Sequence, residues 1–113
     1  MRIVQELVPG KQVTLAHIIA SPTAAIYEKI GFDTSVDYST SAIGILSMSP
    51  AEISVIAGDL AVKSADVQLG FIDRLSGTLI FTGSVSAVEE AIHAIVAYLI
   101  EKLGFAVCDI TKT

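Results

Sequence analysis

The first residues of the chain alternate between two faces, as in a short β-strand. In residues 2–8, one face carries Ile3, Gln5 and Leu7 and the other carries Val4, Glu6 and Val8. Each face is thus mixed, whereas a half-buried strand usually has one apolar and one polar face. Pro9-Gly10 then predicts a turn, and residues 13–20 predict a second strand.

Three segments carry helical signals. Ser21-Pro22 predicts a helix start with serine as the N-cap, and Gly31 predicts its end. Residues 49–52 (SPAE) form a capping box before a helix with apolar residues at helical spacing. Its predicted buried stripe is Ile53, Ile56, Ala57, Leu60 and Ala61. A second capping box at 86–89 (SAVE) opens the longest predicted helix, which Gly104 ends. Its predicted stripe is Val88, Ala91, Ile92, Ile95, Leu99 and Leu103.

The remaining apolar runs predict four strands, at residues 42–48, 67–74, 78–83 and 105–111. Residues 75–77, with Gly77 in the loop, join the middle two as a hairpin, and residues 32–41 form a polar connection. From residue 42 onward the order is β-α-β-β-α-β. This order predicts a ferredoxin-like split βαβ of the α+β class, with an extra β-β-α segment in front.

The composition shows more apolar residues than a small core can bury. The chain has 113 residues, which suits a single domain, and is 52% hydrophobic and 17% charged, against a usual charged fraction of about 25%. A domain of this size buries only about two thirds of its surface. The excess predicts subunit interfaces, a membrane or aggregation. No segment approaches the roughly 18 continuous apolar residues of a membrane span, and no signal peptide is visible, so we expect an oligomer.

The net charge bears on the class of binding partner, and the cysteine content bears on the redox environment. A net charge of −5 with only two arginines argues against nucleic acid. A single cysteine, Cys108, excludes an internal disulfide and fits a reducing cytoplasm.

Motifs for catalysis are absent. The sequence has no P-loop, GxGxxG, HExxH, CxxC or GxSxG. On the strand 13–20, His17 shares a side with Leu15 and Ile19, and a histidine packed at a sheet or subunit surface is favoured over a ligand or a base. His93 shares a helix face with Glu89 and Glu90, so a solvated position is expected.

Two further candidates have structural interpretations as well. Cys108 is expected to be a small strand residue, because no neighbouring cation in sequence would lower its pKa. Asp73-Arg74, at a strand end, is expected to form a salt bridge at the loop edge, with a catalytic pair as the alternative.

The run from Ser41 to Ile92 resembles the body of a bacterial microcompartment shell domain. In that family a strand, a helix ending in V-K-(small)-(small), a hairpin and a G-(D/S)-V-S-x-V helix start follow in this order. The opening VTLAHIIASP (13–22) is similar to the segment that ordinary members carry at the C-terminal end. The chain therefore resembles a circularly permuted member, and its prefix VQELVPGKQ and terminal CDITKT are similar to the permuted ethanolamine- and propanediol-utilisation shell proteins.

This resemblance implies a cyclic hexamer that tiles into a polyhedral shell in the bacterial cytoplasm around a pathway with a volatile or toxic aldehyde intermediate. The residues matching the family's central pore loop are Asp73, Arg74, Leu75, Ser76, Gly77 and Thr78. Residues 2–8 are expected to gather over that pore as a small axial β-barrel, with Ile3 and Leu7 inward. Lys63 matches the edge lysine, whereas Ser21 stands where ordinary members often carry an arginine that joins neighbouring hexamers.

Three classes of function follow. The first is a structural, non-enzymatic shell subunit, built as one permuted domain over residues 1–113 (barrel strand 2–8, permuted strand and helix 13–31, body 42–113). Other shell proteins and encapsulated enzymes are its implied partners, with no cofactor or metal. The second is a small-molecule-binding regulatory oligomer of ferredoxin-like fold. The third is a small enzyme using Asp73, Arg74 and His17, against which the absent nucleophile–base constellation counts.

Overall fold

A computed structural model describes residues 10–33 and 35–113 of the chain. Its strands are β1 (Gln12–Ile19), β2 (Ala42–Ser49), β3 (Val67–Asp73), β4 (Thr78–Gly83), β5 (Ala106–Val107) and β6 (Thr111–Lys112), and its helices are α1 (Ala24–Lys29), α2 (Ile53–Ser64) and α3 (Val85–Leu103). The strand predicted at residues 2–8 lies outside the described residues. From residue 42 onward the predicted β-α-β-β-α order is confirmed, and two short strands, β5 and β6, follow it in place of the single last strand.

The strands form a mixed sheet in the order β3-β4-β2-β1-β5, with β6 also pairing with β1. Neighbours from β3 to β1 are antiparallel, and β5 and β6 run parallel to β1. This α+β arrangement is consistent with a ferredoxin-like fold. In a simple split βαβ the last strand of the unit pairs with its first strand, which here is β2. In this chain β1 takes that place beside β2, and β5 pairs with the outer edge of β1.

Helices cover both faces of the sheet because β2 is apolar on both sides. Leu46 and Met48 belong to the main core under α2 and α3, whereas Ile43 packs with Tyr27 and Phe32 in a second cluster under α1. Near-continuous apolar strands are typical of a sheet buried on both faces.

A β-bulge in β1 decides which of its side chains enter the main core. The pairing of β1 with β2 shifts register between Val13 and Leu15, so that Ala16 and Ile18 are buried with Val13. A bulge adds one residue to one of two paired strands, so the side chains that follow it point to the opposite face of the sheet. His17 therefore lies on the face away from α2 and α3.

The buried side of α2 differs from the predicted stripe. Its fully buried residues are small: Ser54, Ala57, Gly58 and Ala61. Ile56, predicted to be buried, is 42% exposed. A side chain at Gly58 would press on Ile72 of β3, with Cβ 2.9 Å from its Cδ1. The helix lies so close to the sheet at Gly58 that its most buried positions hold small residues. Of the predicted stripe, Ala57 and Ala61 are buried and Ile53 and Leu60 pack partly buried against the core, so the prediction was wrong only at Ile56.

The helix starts lie later or earlier than the capping signals indicated. Thr23, not Ser21, occupies the N-cap of α1, and Glu52 occupies that of α2. In α3 the N-cap is Ser84, whose hydroxyl accepts a hydrogen bond of 3.1 Å from the N–H of Ala87. At Ser84 the extended backbone aims the hydroxyl at the free amides, whereas Thr23, also extended, forms no side-chain cap hydrogen bond.

The two predictions about the end of α3 had different outcomes. Gly104 ends the helix in the left-handed conformation, as predicted. The single strand predicted at 105–111 was wrong, because it divides into β5 and β6 with Cys108–Ile110 between them. The apolar pattern of the sequence continues through Cys108–Ile110, so it did not indicate a break between two strands.

Candidate functional site

The loop between β3 and β4 is organised by one carboxylate. Asp73 accepts hydrogen bonds from the N–H of Leu75 at 2.8 Å, from the N–H of Ser76 at 3.3 Å and from the Ser76 hydroxyl at 2.8 Å. These bonds, the one from the Leu75 N–H foremost, hold the pKa of Asp73 below its ordinary value. The salt bridge predicted between Asp73 and Arg74 was wrong, because in the described part of the chain ion pairs join only Lys63 to Asp59 and Lys112 to Glu89.

Gly77 fixes the same loop against β2. Its N–H donates to the carbonyl of Asp73 at 2.8 Å, and its own carbonyl accepts from the N–H of Met48 at 2.9 Å. Gly77 has φ of +81°, and a Cβ there would collide with the carbonyl oxygen of Met48. Both the conformation and the close approach require glycine, so the loop is a preformed structure.

The tip of the loop presents Leu75 to solvent. Its side chain is 87% exposed, whereas the other large exposed apolar side chains of the described residues do not exceed 50%. Arg74 beside it is also exposed. The six residues predicted as a pore loop thus lie together at one end of the sheet.

Lys63 projects from the last turn of α2. Its ammonium contacts the Asp59 carboxylate at 2.8 Å, one helical turn earlier, and both side chains are mostly exposed. The hydrogen bond that Lys63 donates to the Asp59 carboxylate raises the pKa of Lys63. The pair is solvent-screened, so Lys63 is available to a further partner.

His17 joins the chain's last residues to β1. Its Nδ1 lies 2.6 Å from the Thr111 hydroxyl and its Nε2 lies 2.9 Å from the Thr113 hydroxyl. The partly buried ring confirms the predicted packed histidine at a sheet surface. His93 is exposed on α3, as predicted.

Other candidate chemistry gives little in the described residues. Cys108 is partly buried in the break between β5 and β6. Its N–H donates to the carbonyl of Val13, so Cys108 is not the strand residue that we predicted.

Within residues 10–33 and 35–113, no three His, Cys, Asp or Glu side chains are grouped closely enough to hold a metal ion. In the same ranges no helix is both long and apolar enough to cross a membrane. The predicted barrel residues Ile3, Val4, Gln5, Glu6, Leu7 and Val8 lie outside the described residues.

A buried polar cluster under α1 was missed by the sequence analysis. The Thr82 hydroxyl donates to the carbonyl of Ala42 at 2.6 Å, so the Tyr27 hydroxyl, 3.0 Å away, donates to Thr82. Tyr38 stacks on Tyr27 with ring centroids 4.1 Å apart, and burial raises the pKa of Tyr27. The signal in the sequence for this buried polar cluster was Thr82, a polar residue within the apolar strand 78–83.

An open cavity adjoins this cluster. It measures about 560 Å³ and lies between α1 and residues 36–39, with Tyr27, Tyr38, Glu28 and Asp37 among its lining residues. No sequence pattern indicated this cavity, because its two walls come from separate segments.

One family model matches the body of the chain. The BMC domain model matches residues 42–110, from β2 to the break before β6. This chain belongs to the BMC-domain family and is a bacterial microcompartment shell protein.

Three relatives cover nearly the whole chain. It is 51% identical to the bacterial microcompartment shell protein EutS of Escherichia coli strain K12, over 99% of this chain and 96% of that protein. It is 49% identical to the shell protein PduU of Salmonella typhimurium strain LT2, over 99% and 93%. The structure described as "CutR flat hexamer, form 1" superposes with a TM-score of 0.85 at 42% identity, covering 100% of both chains.

Proposed function

We propose that this chain is a structural, non-enzymatic subunit that forms a cyclic homohexamer in a microcompartment shell. The observation that carries the proposal is the full-length superposition on a CutR subunit from a flat hexamer. An isologous dimer would pair one patch with itself, whereas a ring joins two different patches of the same subunit and closes after six copies.

The exposed apolar side chains support extensive subunit contacts. Several large ones on α2, β3 and α3 are between 37% and 50% exposed: Val55, Ile56, Val62, Phe71, Ile72, Tyr98 and Ile100. Apolar side chains left exposed on the single chain can be covered at subunit contacts, whose centres are depleted in charged residues. A ring in which neighbouring subunits cover these side chains removes that surface from water.

The loop Asp73–Thr78 is proposed to line the central pore. Its rigidity supports this role, because six copies of one loop must meet at a common axis without clashing. Lys63 is proposed to lie at the hexamer edge, where its exposed ammonium contacts a neighbouring ring.

The chain is proposed to be one circularly permuted domain. Support comes from β1, which precedes the family match at 42–110 yet pairs with β2. A strand in this place would follow the body in an unpermuted chain. Residues 2–8 are proposed to form a six-stranded barrel over the pore, which would also remove exposed strand edges.

The proposed role is containment. Six flat subunits and a narrow, partly covered pore would retain a volatile or toxic aldehyde made by an encapsulated pathway. Other shell proteins are the proposed lateral partners, and encapsulated enzymes the proposed luminal ones.

The mass of the particle tests the proposal. Six chains of 11.9 kDa make about 71 kDa, and light scattering coupled to gel filtration should report this value. A clean trimer would favour the regulatory oligomer instead, and a monomer would exclude both.

A further inference from the structure

Leu75 is the most exposed large apolar side chain in the described residues, at 87%. A mobile loop could fold such a side chain back onto the protein. This loop cannot do so easily, because Asp73 holds the N–H groups of Leu75 and Ser76 and Gly77 is fixed to Met48. The backbone therefore keeps an apolar side chain in water in the isolated chain.

The polar groups of the loop are turned to one another. The Ser76 hydroxyl contacts the Asp73 carboxylate at 2.8 Å and the Thr78 hydroxyl at 3.1 Å. The carboxylate thus receives three hydrogen bonds from within the loop. At the tip of the loop, the side chain available for contact with a neighbouring subunit is that of Leu75, and Arg74 lies next to it.

We propose that six Leu75 side chains converge on the axis of the ring and close the pore with an apolar constriction. This inference rests on the proposed hexamer with the loop at its centre. A narrow apolar constriction expels water and so resists hydrated ions, while small uncharged solutes pay a smaller desolvation cost. Leu75 would be the residue that makes the passage selective for small neutral molecules over salts.

The contents of the constriction test this proposal. A dry apolar space binds xenon, whereas a wet polar one does not. Crystals of the full-length hexamer, pressurised with xenon or soaked in sodium bromide, should show xenon and no bromide on the six-fold axis at residue 75. The Leu75→Asn hexamer should lose the axial xenon and admit ordered water or bromide. Leu75→Met, which keeps the ring apolar, should behave as the parent protein.

Three outcomes are decisive and distinguishable. Axial xenon that depends on an apolar residue 75 supports the proposal. A hexamer with water or bromide on the axis at residue 75 of the parent protein, or with Leu75 away from the axis, overturns the constriction and leaves the shell function standing. A particle that is not a hexamer overturns the proposed function, and the constriction with it.

Discussion

Gly77 and Met48 are in direct backbone contact, with the N–H of Met48 donating to the carbonyl of Gly77 at 2.9 Å. This bond ties the tip of the β3–β4 hairpin to the end of β2. It leaves no room for a Cβ on Gly77, which would meet the Met48 carbonyl oxygen. The position of the proposed pore loop thus depends on one glycine.

Gly77→Ala should destabilise the protein by about 2–4 kcal/mol, because alanine is strained at φ of +81° and its Cβ displaces the backbone of β2. The matched control is Gly104→Ala, also at positive φ but with nothing within 4 Å of its Cβ. It should lose only about 1–2 kcal/mol, the cost of the left-handed conformation for a residue with a Cβ. Urea unfolding at a fixed chain concentration measures both, and equal losses would contradict the contact with Met48.

Stability should fall as pH rises above about 10, because of Tyr27. Burial raises the pKa of Tyr27 above 10.0, so the folded chain keeps a proton that the unfolded chain has released. The unfolded state is then favoured, by at most about 1.4 kcal/mol per pH unit for one proton. Below pH 10 this contribution is fully present. Tyr27→Phe should flatten the decline, which urea unfolding at a series of pH values measures.

His17→Gln should leave the assembled particle intact, since within the described residues the side-chain hydrogen bonds of His17 go to the hydroxyls of Thr111 and Thr113. His17→Ala should loosen those residues. The expected sign is faster amide exchange at Thr113, whose N–H donates to the carbonyl of Ile18 at 2.8 Å. His93→Ala is the control and should change nothing there. A metal ion bound at one per chain and lost in the His17 variants would contradict this structural role.

Lys63→Ala should preserve isolated hexamers and weaken their assembly into sheets, because this exposed residue is proposed to lie at the hexamer edge, in contact with a neighbouring ring. Asp59→Ala is the matched control: it removes the intrachain partner of Lys63 at 2.8 Å and leaves the ammonium in place. Sheet formation is followed by electron microscopy, and ring mass by light scattering. Dissociated rings in Lys63→Ala would show that this residue lies within the hexamer.

Deletion of residues 2–8 should preserve the hexamer and uncover the loop Asp73–Thr78, because the proposed subunit contacts lie in the rest of the chain. Within the prefix, Ile3→Asn should perturb the proposed barrel more than Val4→Asn. We expect Ile3 and Leu7 inside, since six Glu6 carboxylates in a narrow barrel would repel one another at a cost of several kcal/mol.

The structure along the six-fold axis, with the mass of the truncated protein, decides these points. Loss of the ring on truncation would make the prefix an assembly element, and Glu6 lining the barrel would reverse the assigned faces.

The sequence alone determined the features that depend on neighbouring residues. The order of helices and strands from β2 to α3, the Gly104 helix end and the hairpin loop at Gly77 were all predicted. In α3 the stripe from Val88 to Leu99 is buried as expected. These features follow from hydrophobic periodicity and from the backbone freedom of glycine, which act over a few residues.

Only the tertiary structure decided the features that join distant segments. Three such features depend on which elements pack together. They are the position of β1 between β2 and β5, the small side chains on the inner face of α2, and the hydrogen bond between Tyr27 and Thr82. The bulge between Val13 and Leu15 likewise reassigns the side chains of β1. A local pattern records that a side chain is apolar but not how close its partner lies, so distance and register are set by packing over the whole sheet.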